Sequence, residues 1–258
     1  MPEIYYEESG AGFPLVLIHG FCETQYIWGN FRDALSDEFR VICPDLPGFG
    51  KSSLCDTPFQ LADIADQLKE WLLSLNLEKS VIIGHSLGGY VVLELARRHK
   101  NLFTGFGLFN STAFEDPPEK KENRNKLINF IEKEGVKLFI RTFVPSLFYP
   151  QTSHKFATEI TRIKDLGNKT DKRAVMAYAA AMRDRSDNLE LLKQNSETFL
   201  LISGAEDQNI PLDASREMAG LLLPENAHIL DGTAHMSMFE KEALTIDIVR
   251  QFARKKRG

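Results

Sequence analysis

The chain has 258 residues, with 31 lysines and arginines against 36 aspartates and glutamates, a formal net charge of -5 and 43% apolar residues. That length and apolar content suit one large domain with a substantial core, and an acidic balance spread along the chain speaks against a nucleic-acid partner. No run is long and apolar enough to span a bilayer, and Met1-Pro2-Glu3-Ile4 opens acidic rather than in the basic pattern of a secretory leader. Three cysteines, Cys22, Cys43 and Cys55, lack metal-ligand spacing, so reduced thiols and a cytoplasmic location are expected.

Ile4 to Glu8, the turn Gly10-Ala11-Gly12 and Leu15-Val16-Leu17-Ile18 predict strand, turn and strand. Arg40-Val41-Ile42-Cys43 predicts a further strand, ended by Pro44. Leu61, Ile64, Ala65, Leu68, Trp71, Leu72 and Leu75 recur at helical spacing with polar residues between them, which predicts a helix over about 61–75. Val81-Ile82-Ile83 reads as a buried strand, followed by a helix from Ser86 to about Arg98 and a strand at Phe106-Gly107-Leu108-Phe109. After Asn110 the rhythm changes, and from the charged run at Glu119 to about Arg185 only helical periodicity is present. Alternation resumes with a strand at Phe199–Ile202, a helix near Asp213 to Leu222, a strand at Ala227–Leu230 and a last helix over about Lys241 to Lys255, whose basic end at Arg254–Arg257 is expected to be solvated. Short apolar strands alternating with amphipathic helices predict a mostly parallel central sheet flanked by helices on both faces. The helical middle is then an insertion at one end of that sheet.

Gly84-His85-Ser86-Leu87-Gly88 has the form G-x-S-x-G, with a strand leading in and a helix leading out. In that context the pattern marks a nucleophile elbow, a sharp turn that pushes the serine hydroxyl out above the sheet. The flanking glycines suit it because strand and helix cross too closely for a Cβ. A serine hydroxyl is a poor nucleophile until a base takes its proton, and the base needs an acid to orient it. Ser203-Gly204-Ala205-Glu206-Asp207 leaves one later strand and Gly232-Thr233-Ala234-His235 leaves the next, so Asp207 and His235 can converge on Ser86 at the carboxyl edge of the sheet. Glu206 stands beside Asp207 as a rival acid, and Asp231 suits a turn. His99, His154 and His228 lie in no motif, and His85, inside the elbow, should point its ring away from the nucleophile. An oxyanion hole needs two fixed N–H donors. Leu87, opening the helix after Ser86, and Phe21, in the loop His19-Gly20-Phe21-Cys22 after an early strand, are the candidates. Gly50-Lys51-Ser52 and Gly105-Phe106-Gly107 are fragments of nucleotide-binding patterns without their remaining glycines, and support no cofactor.

Together with Asp45-Leu46-Pro47-Gly48-Phe49-Gly50-Lys51-Ser52, these segments resemble the α/β-hydrolase superfamily, in the family's order and over most of the chain. The resemblance implies the α/β-hydrolase fold, with a core of residues 1–110 and 188–258 and a helical cap, 111–187, over the active site. It implies a serine hydrolase without metal or organic cofactor, acting on a small ester or related acyl substrate by acyl transfer to water. Phe114, Phe139, Phe143, Phe148 and Tyr149 give the expected cap an aromatic character. With Tyr26 and Trp28 near the oxyanion loop, Phe139, Phe143 and Phe148 are the candidate substrate-binding residues. Dehalogenase and epoxide-hydrolase branches place aspartate at the elbow, which Ser86 speaks against. Cleavage or elimination at a carbon–carbon bond by the same three residues, and a ligand-sensing regulator that keeps them, are the alternatives.

Overall fold

The computed structural model of the chain describes residues 3–257. Seven strands, β1 (Tyr6–Ser9), β2 (Phe13–Ile18), β3 (Phe39–Pro44), β4 (Val81–His85), β5 (Gly105–Phe109), β6 (Phe199–Gly204) and β7 (Ala227–Leu230), form one sheet in the order β1-β3-β2-β4-β5-β6-β7. Only β1 runs antiparallel to its neighbour; the other pairs are parallel. Every residue of β4, β5 and β6 is buried, which is why these strands are continuous apolar runs rather than alternating ones.

Parallel neighbours need crossovers, and helices supply them. α1 (Gly29–Leu35) leads to β3, α2 (Leu61–Ser74) to β4 and α3 (Leu87–His99) to β5. Between β5 and β6 the chain makes a long helical excursion through α4 (Pro118–Glu134), α5 (Val136–Ser146), α6 (Ala157–Gly167) and α7 (Lys172–Arg183), then returns through α8 (Leu189–Gln194). α9 (Leu212–Ala219) leads to β7, and α10 (Ser237–Glu240) and α11 (Glu242–Lys256) close the chain. α2 and α3 pack together, as do α1 and α11, while within the excursion α4 lies along α7 and α5 along α6. α2 shows why such elements form: a Gln60–Asp63 capping box opens it, and Leu61, Ile64, Ala65, Leu68 and Leu72 bury one stripe. Each large aliphatic side chain so buried contributes roughly 1.5–3 kcal/mol.

The predicted elements recur with shifted ends. β1 runs from Tyr6 rather than Ile4, and α1 had no sequence signal of its own. For function the decisive feature is the reversal at β2, whose neighbours β3 and β4 lie on opposite sides. The connections after β2 and β4 lead to opposite sides there, the place at the carboxyl ends of the strands where open α/β sheets hold their ligands.

Candidate active site

Ser86 sits between β4 and α3 with φ 50° and ψ -114°. For a residue with a Cβ this is a sparsely populated conformation that the surroundings must impose. They do so on both sides of the residue. The Ser86 N–H donates to the Phe109 carbonyl at 3.0 Å, and the Ser86 carbonyl accepts from the Gly89 N–H at 2.9 Å and the Ser111 hydroxyl at 2.8 Å. The flanking glycines are required by space. A Cβ on Gly84 would lie 2.2 Å from the Gly88 carbonyl carbon, and one on Gly88 would lie 2.6 Å from the Ile18 carbonyl oxygen. Strand and helix therefore cross backbone to backbone.

Asp207 leaves β6 and His235 lies in the loop after β7. His235 Nδ1 is 2.7 Å from Asp207 Oδ2, with both side chains buried. The other oxygen, Oδ1, accepts from the Asn209 and Ile210 N–H groups at 2.8 and 3.1 Å. Burial alone would push the Asp207 carboxyl up, but the facing imidazole and these donors outweigh it and hold it below the usual aspartate value. Glu206 turns away and accepts from the Thr233 N–H at 3.0 Å. Asn110, at the end of β5 with φ 44°, donates its amide to Asp207 Oδ2 at 3.2 Å and to the Ala234 carbonyl at 2.9 Å. It thus ties the acid to the loop that carries His235.

The peptide of His235 is itself held at both ends. Its N–H donates to the Leu147 carbonyl, at the end of α5, at 2.9 Å, and its carbonyl accepts from His85 Nε2 at 2.9 Å. Glu240 adds a second tie to the excursion. Its Oε1 accepts from the Tyr149 N–H at 2.6 Å, and its Oε2 from the Ala234 N–H and Thr233 hydroxyl, each at 2.8 Å.

The loop after β2 is organised by buried polar side chains. His19 accepts the Leu46 N–H on Nε2 at 2.9 Å, so its proton is on Nδ1, which donates to the Gly20 carbonyl at 2.8 Å. Burial holds its pKa down and favours this neutral form. Glu23 Oε2 accepts from the Gly20 N–H at 2.8 Å and lies 3.0 Å from His85 Nδ1. Asp45 braces the same loop from β3, accepting from the Gln25 N–H at 2.8 Å and the Lys51 N–H at 2.9 Å. Phe21 stands between Gly20 and Glu23, so its backbone belongs to this frame. Leu87 is the first residue of α3, where N–H groups have no partner further back in the helix.

The expected aromatic residues divide into two groups. Phe139 and Phe143, one turn apart on α5, stack at 4.7 Å, and each ring centroid lies 6.1 Å from that of Phe21. They form an aromatic face against the oxyanion loop. Tyr26 is half-buried, with Arg162 of α6 5.6 Å above its ring. Trp28 and Phe148 are placed otherwise. Trp28 is wholly buried between Phe31 and Phe109 on the α1 side of the sheet, and Phe148 is buried against Phe156 and Phe239. Both positions are thus packed among neighbouring aromatic rings. A cavity of about 820 Å³ opens where the excursion leaves and rejoins the core, lined by Thr112, Phe114, Asp116, Arg185 and Asn209 among others.

Glu23, Asn110, Ser111 and Glu240 carry no sequence signal that singles them out, and His85 has none beyond its place inside the elbow. Its ring meets the Glu23 carboxylate on one side and the His235 backbone on the other.

Residues 14–242 match the model of a family described as the alpha/beta hydrolase fold. The chain is similar to the soluble epoxide hydrolase of Corynebacterium sp. (strain C12), 29% identical over 72% of this chain and 71% of that protein. It is also similar to the 2-hydroxymuconate semialdehyde hydrolase of Pseudomonas sp. (strain CF600), 27% identical over 95% of this chain and 88% of the relative. Among solved structures, a thermophilic esterase from Thermogutta terrifontis in its malate-bound form superposes with a TM-score of 0.93 at 29% identity, covering 100% of this chain and 95% of that one.

Proposed function

Because the chain belongs to the alpha/beta hydrolase fold family, we propose that it is a serine hydrolase that cleaves a carboxylic ester or thioester of a small, largely apolar substrate. The observation that carries this reading is the buried Asp207–His235 pair at 2.7 Å, after neighbouring strands of a sheet whose β4–α3 turn holds a serine at φ 50°. The His85 ring, on the residue before Ser86, lies 4.8 Å from the His235 ring between centroids.

In this mechanism His235 takes the hydroxyl proton of Ser86 as the oxygen attacks the carbonyl carbon. The Phe21 and Leu87 N–H groups receive the tetrahedral oxyanion. His235 then gives its proton to the leaving alcohol or thiol, and an acyl-enzyme remains on Ser86. Water, deprotonated by the same histidine, releases the acid. Asp207 keeps the Nδ1 proton of His235 in place and stabilises the imidazolium that forms. No step calls on a metal or organic cofactor. Residues 111–187, with α4 to α7, act as a cap, and the Phe139–Phe143 face of α5 shapes the acyl site. All three thiols are free, which fits a reducing, cytoplasmic compartment.

A second reading, cleavage of a carbon–carbon bond by the same residues, is favoured by the likeness to the semialdehyde hydrolase. Epoxide opening is disfavoured, because that branch is expected to carry aspartate where this chain has Ser86. The test is hydrolysis of p-nitrophenyl esters of increasing acyl length by the wild type and by Ser86→Ala. Repeated turnover in the wild type, reduced on the order of 10³-fold or more by the substitution, supports the proposal. Turnover that survives in Ser86→Ala ends it.

A further inference from the structure

Buried carboxylate–imidazole pairs call for an account, because taking two charges out of water is costly and apolar replacements are often as stable. Glu23 is 2% exposed and His85 not at all. We propose that Glu23 and His85 are positioning residues that join the oxyanion loop to the loop carrying His235; this rests on the serine-hydrolase reading above.

Counting protons supports the proposal. His85 faces an acceptor on each side, Glu23 Oε2 at 3.0 Å and the His235 carbonyl at 2.9 Å. A neutral imidazole has one N–H, and satisfies both only where the shared proton stays on Glu23. Both contacts are made when the ring carries two protons and Glu23 is ionised. The carboxylate oxygen then accepts from Gly20 as well, at 2.8 Å. Burial pushes both groups toward neutrality, but their mutual attraction outweighs it, holding Glu23 below and His85 above their usual values. The other ionisable groups that face the pair are His19 and Cys22 on the Glu23 side and Asp207 and the His235 ring on the His85 side, and His19 is kept neutral by burial.

Space is reserved for the pair. A Cβ on Gly20 would lie 2.7 Å from both Glu23 Oε2 and His85 Nδ1. Gly20 has no left-handed φ, so it is a glycine because this pair occupies the place of its side chain. The chain Gly20 N–H, Glu23, His85, His235 carbonyl thus begins beside Phe21 and ends on the proposed base, with Ser86 next to His85 in sequence. A displacement of about 1 Å along it would misplace donor, nucleophile and base together, a change that can cost about 100-fold in rate.

The test uses a fluorophosphonate probe, whose reaction with Ser86 needs the nucleophile, the base and the oxyanion hole but no knowledge of the substrate. Rate constants and labelled fractions are measured for wild type, Ser86→Ala, Glu23→Gln, His85→Asn and His85→Gln, with melting temperatures for each. The longer amide of His85→Gln can place a donor where Nε2 stood, whereas the shorter one of His85→Asn reaches only the Nδ1 side. The expected result is a rate constant about 10- to 100-fold lower in Glu23→Gln and His85→Asn, with partial recovery in His85→Gln. Ester KM should stay within about threefold while kcat falls in step, as loss of positioning predicts. Because the labelled fraction counts intact sites, the rate is read per folded molecule even in an unstable variant. Wild-type rate constants in Glu23→Gln and His85→Asn, with losses only in labelled fraction or melting temperature, overturn the proposal and leave the pair a structural role. Labelling of Ser86→Ala at the wild-type rate would instead overturn the serine-hydrolase reading itself.

Discussion

At the scale of single residues, the site depends on a few positions where a Cβ is either forced or forbidden. Ser86 keeps its side chain at a strained φ because three hydrogen bonds fix its peptide groups. Gly20 must have none, since the Glu23–His85 pair fills that place. Gly20→Ala is therefore expected to destabilise the fold by about 1–3 kcal/mol through overpacking. It should also lower ester turnover by at least about tenfold, because the pair is pushed off its contacts. Denaturant unfolding and steady-state kinetics on one preparation check both effects. Ser86, Asp207 and His235 could be proposed from the sequence because each follows a legible strand. It left Glu206 and Asp207 open as rival acids, since neighbours in a loop differ only by which way the backbone turns them. Glu23 was invisible for a different reason: its partner is 62 positions away, and nothing near it in the chain calls for a buried acid.

At the scale of elements, the strand–helix crossing at Gly84 and Gly88 fixes the Ser86 turn, and α5 sets Phe139 and Phe143 against Phe21. The helical excursion was legible as periodicity, but periodicity does not say what each stripe faces. Phe139, Phe143 and Phe148 share one aromatic character in sequence. In the structure the first two meet Phe21, while Phe148 packs against Phe156 and Phe239. Trp28, expected beside the oxyanion loop, packs between Phe31 and Phe109; it stands just before α1, and one short turn shows no stripe by which the sequence could tell its side. Phe143→Ala, removing half of the stacked pair, is expected to move the preferred p-nitrophenyl ester toward longer acyl chains. The shift in kcat/KM between the old and new optimum should be about 10-fold, the scale of one or two methylenes in an apolar pocket. An unchanged chain-length profile would show that this face does not bound the acyl site.

For the whole molecule, the buried ionisable groups set a pH window of stability. The Glu23 carboxyl is held below its usual 4.5, so its contribution is present above that pH and is lost as pH falls through the lower folded value. His85 is raised above its usual 6.5, so its contribution is complete below that pH and is lost as pH rises through the higher folded value. The two are in force together between 4.5 and 6.5. The difference in melting temperature between wild type and Glu23→Gln should be largest in that interval and shrink toward either extreme, which a series of thermal melts across pH will test. The parallel order of the sheet was the most legible feature at this scale, since fully buried strands appear as unbroken apolar runs. The short edge strand β1, with mixed burial, was legible only to within two residues at its start.

The His235 N–H ends on the Leu147 carbonyl, and Glu240 ties Tyr149 to Ala234. Any displacement of the end of α5 from the sheet would pull on both ties, and so on the loop that carries His235, the proposed base. Tether and hinge point are thus the same few atoms, and a substitution such as Glu240→Gln is expected to be felt on both sides of the seam between helix and loop.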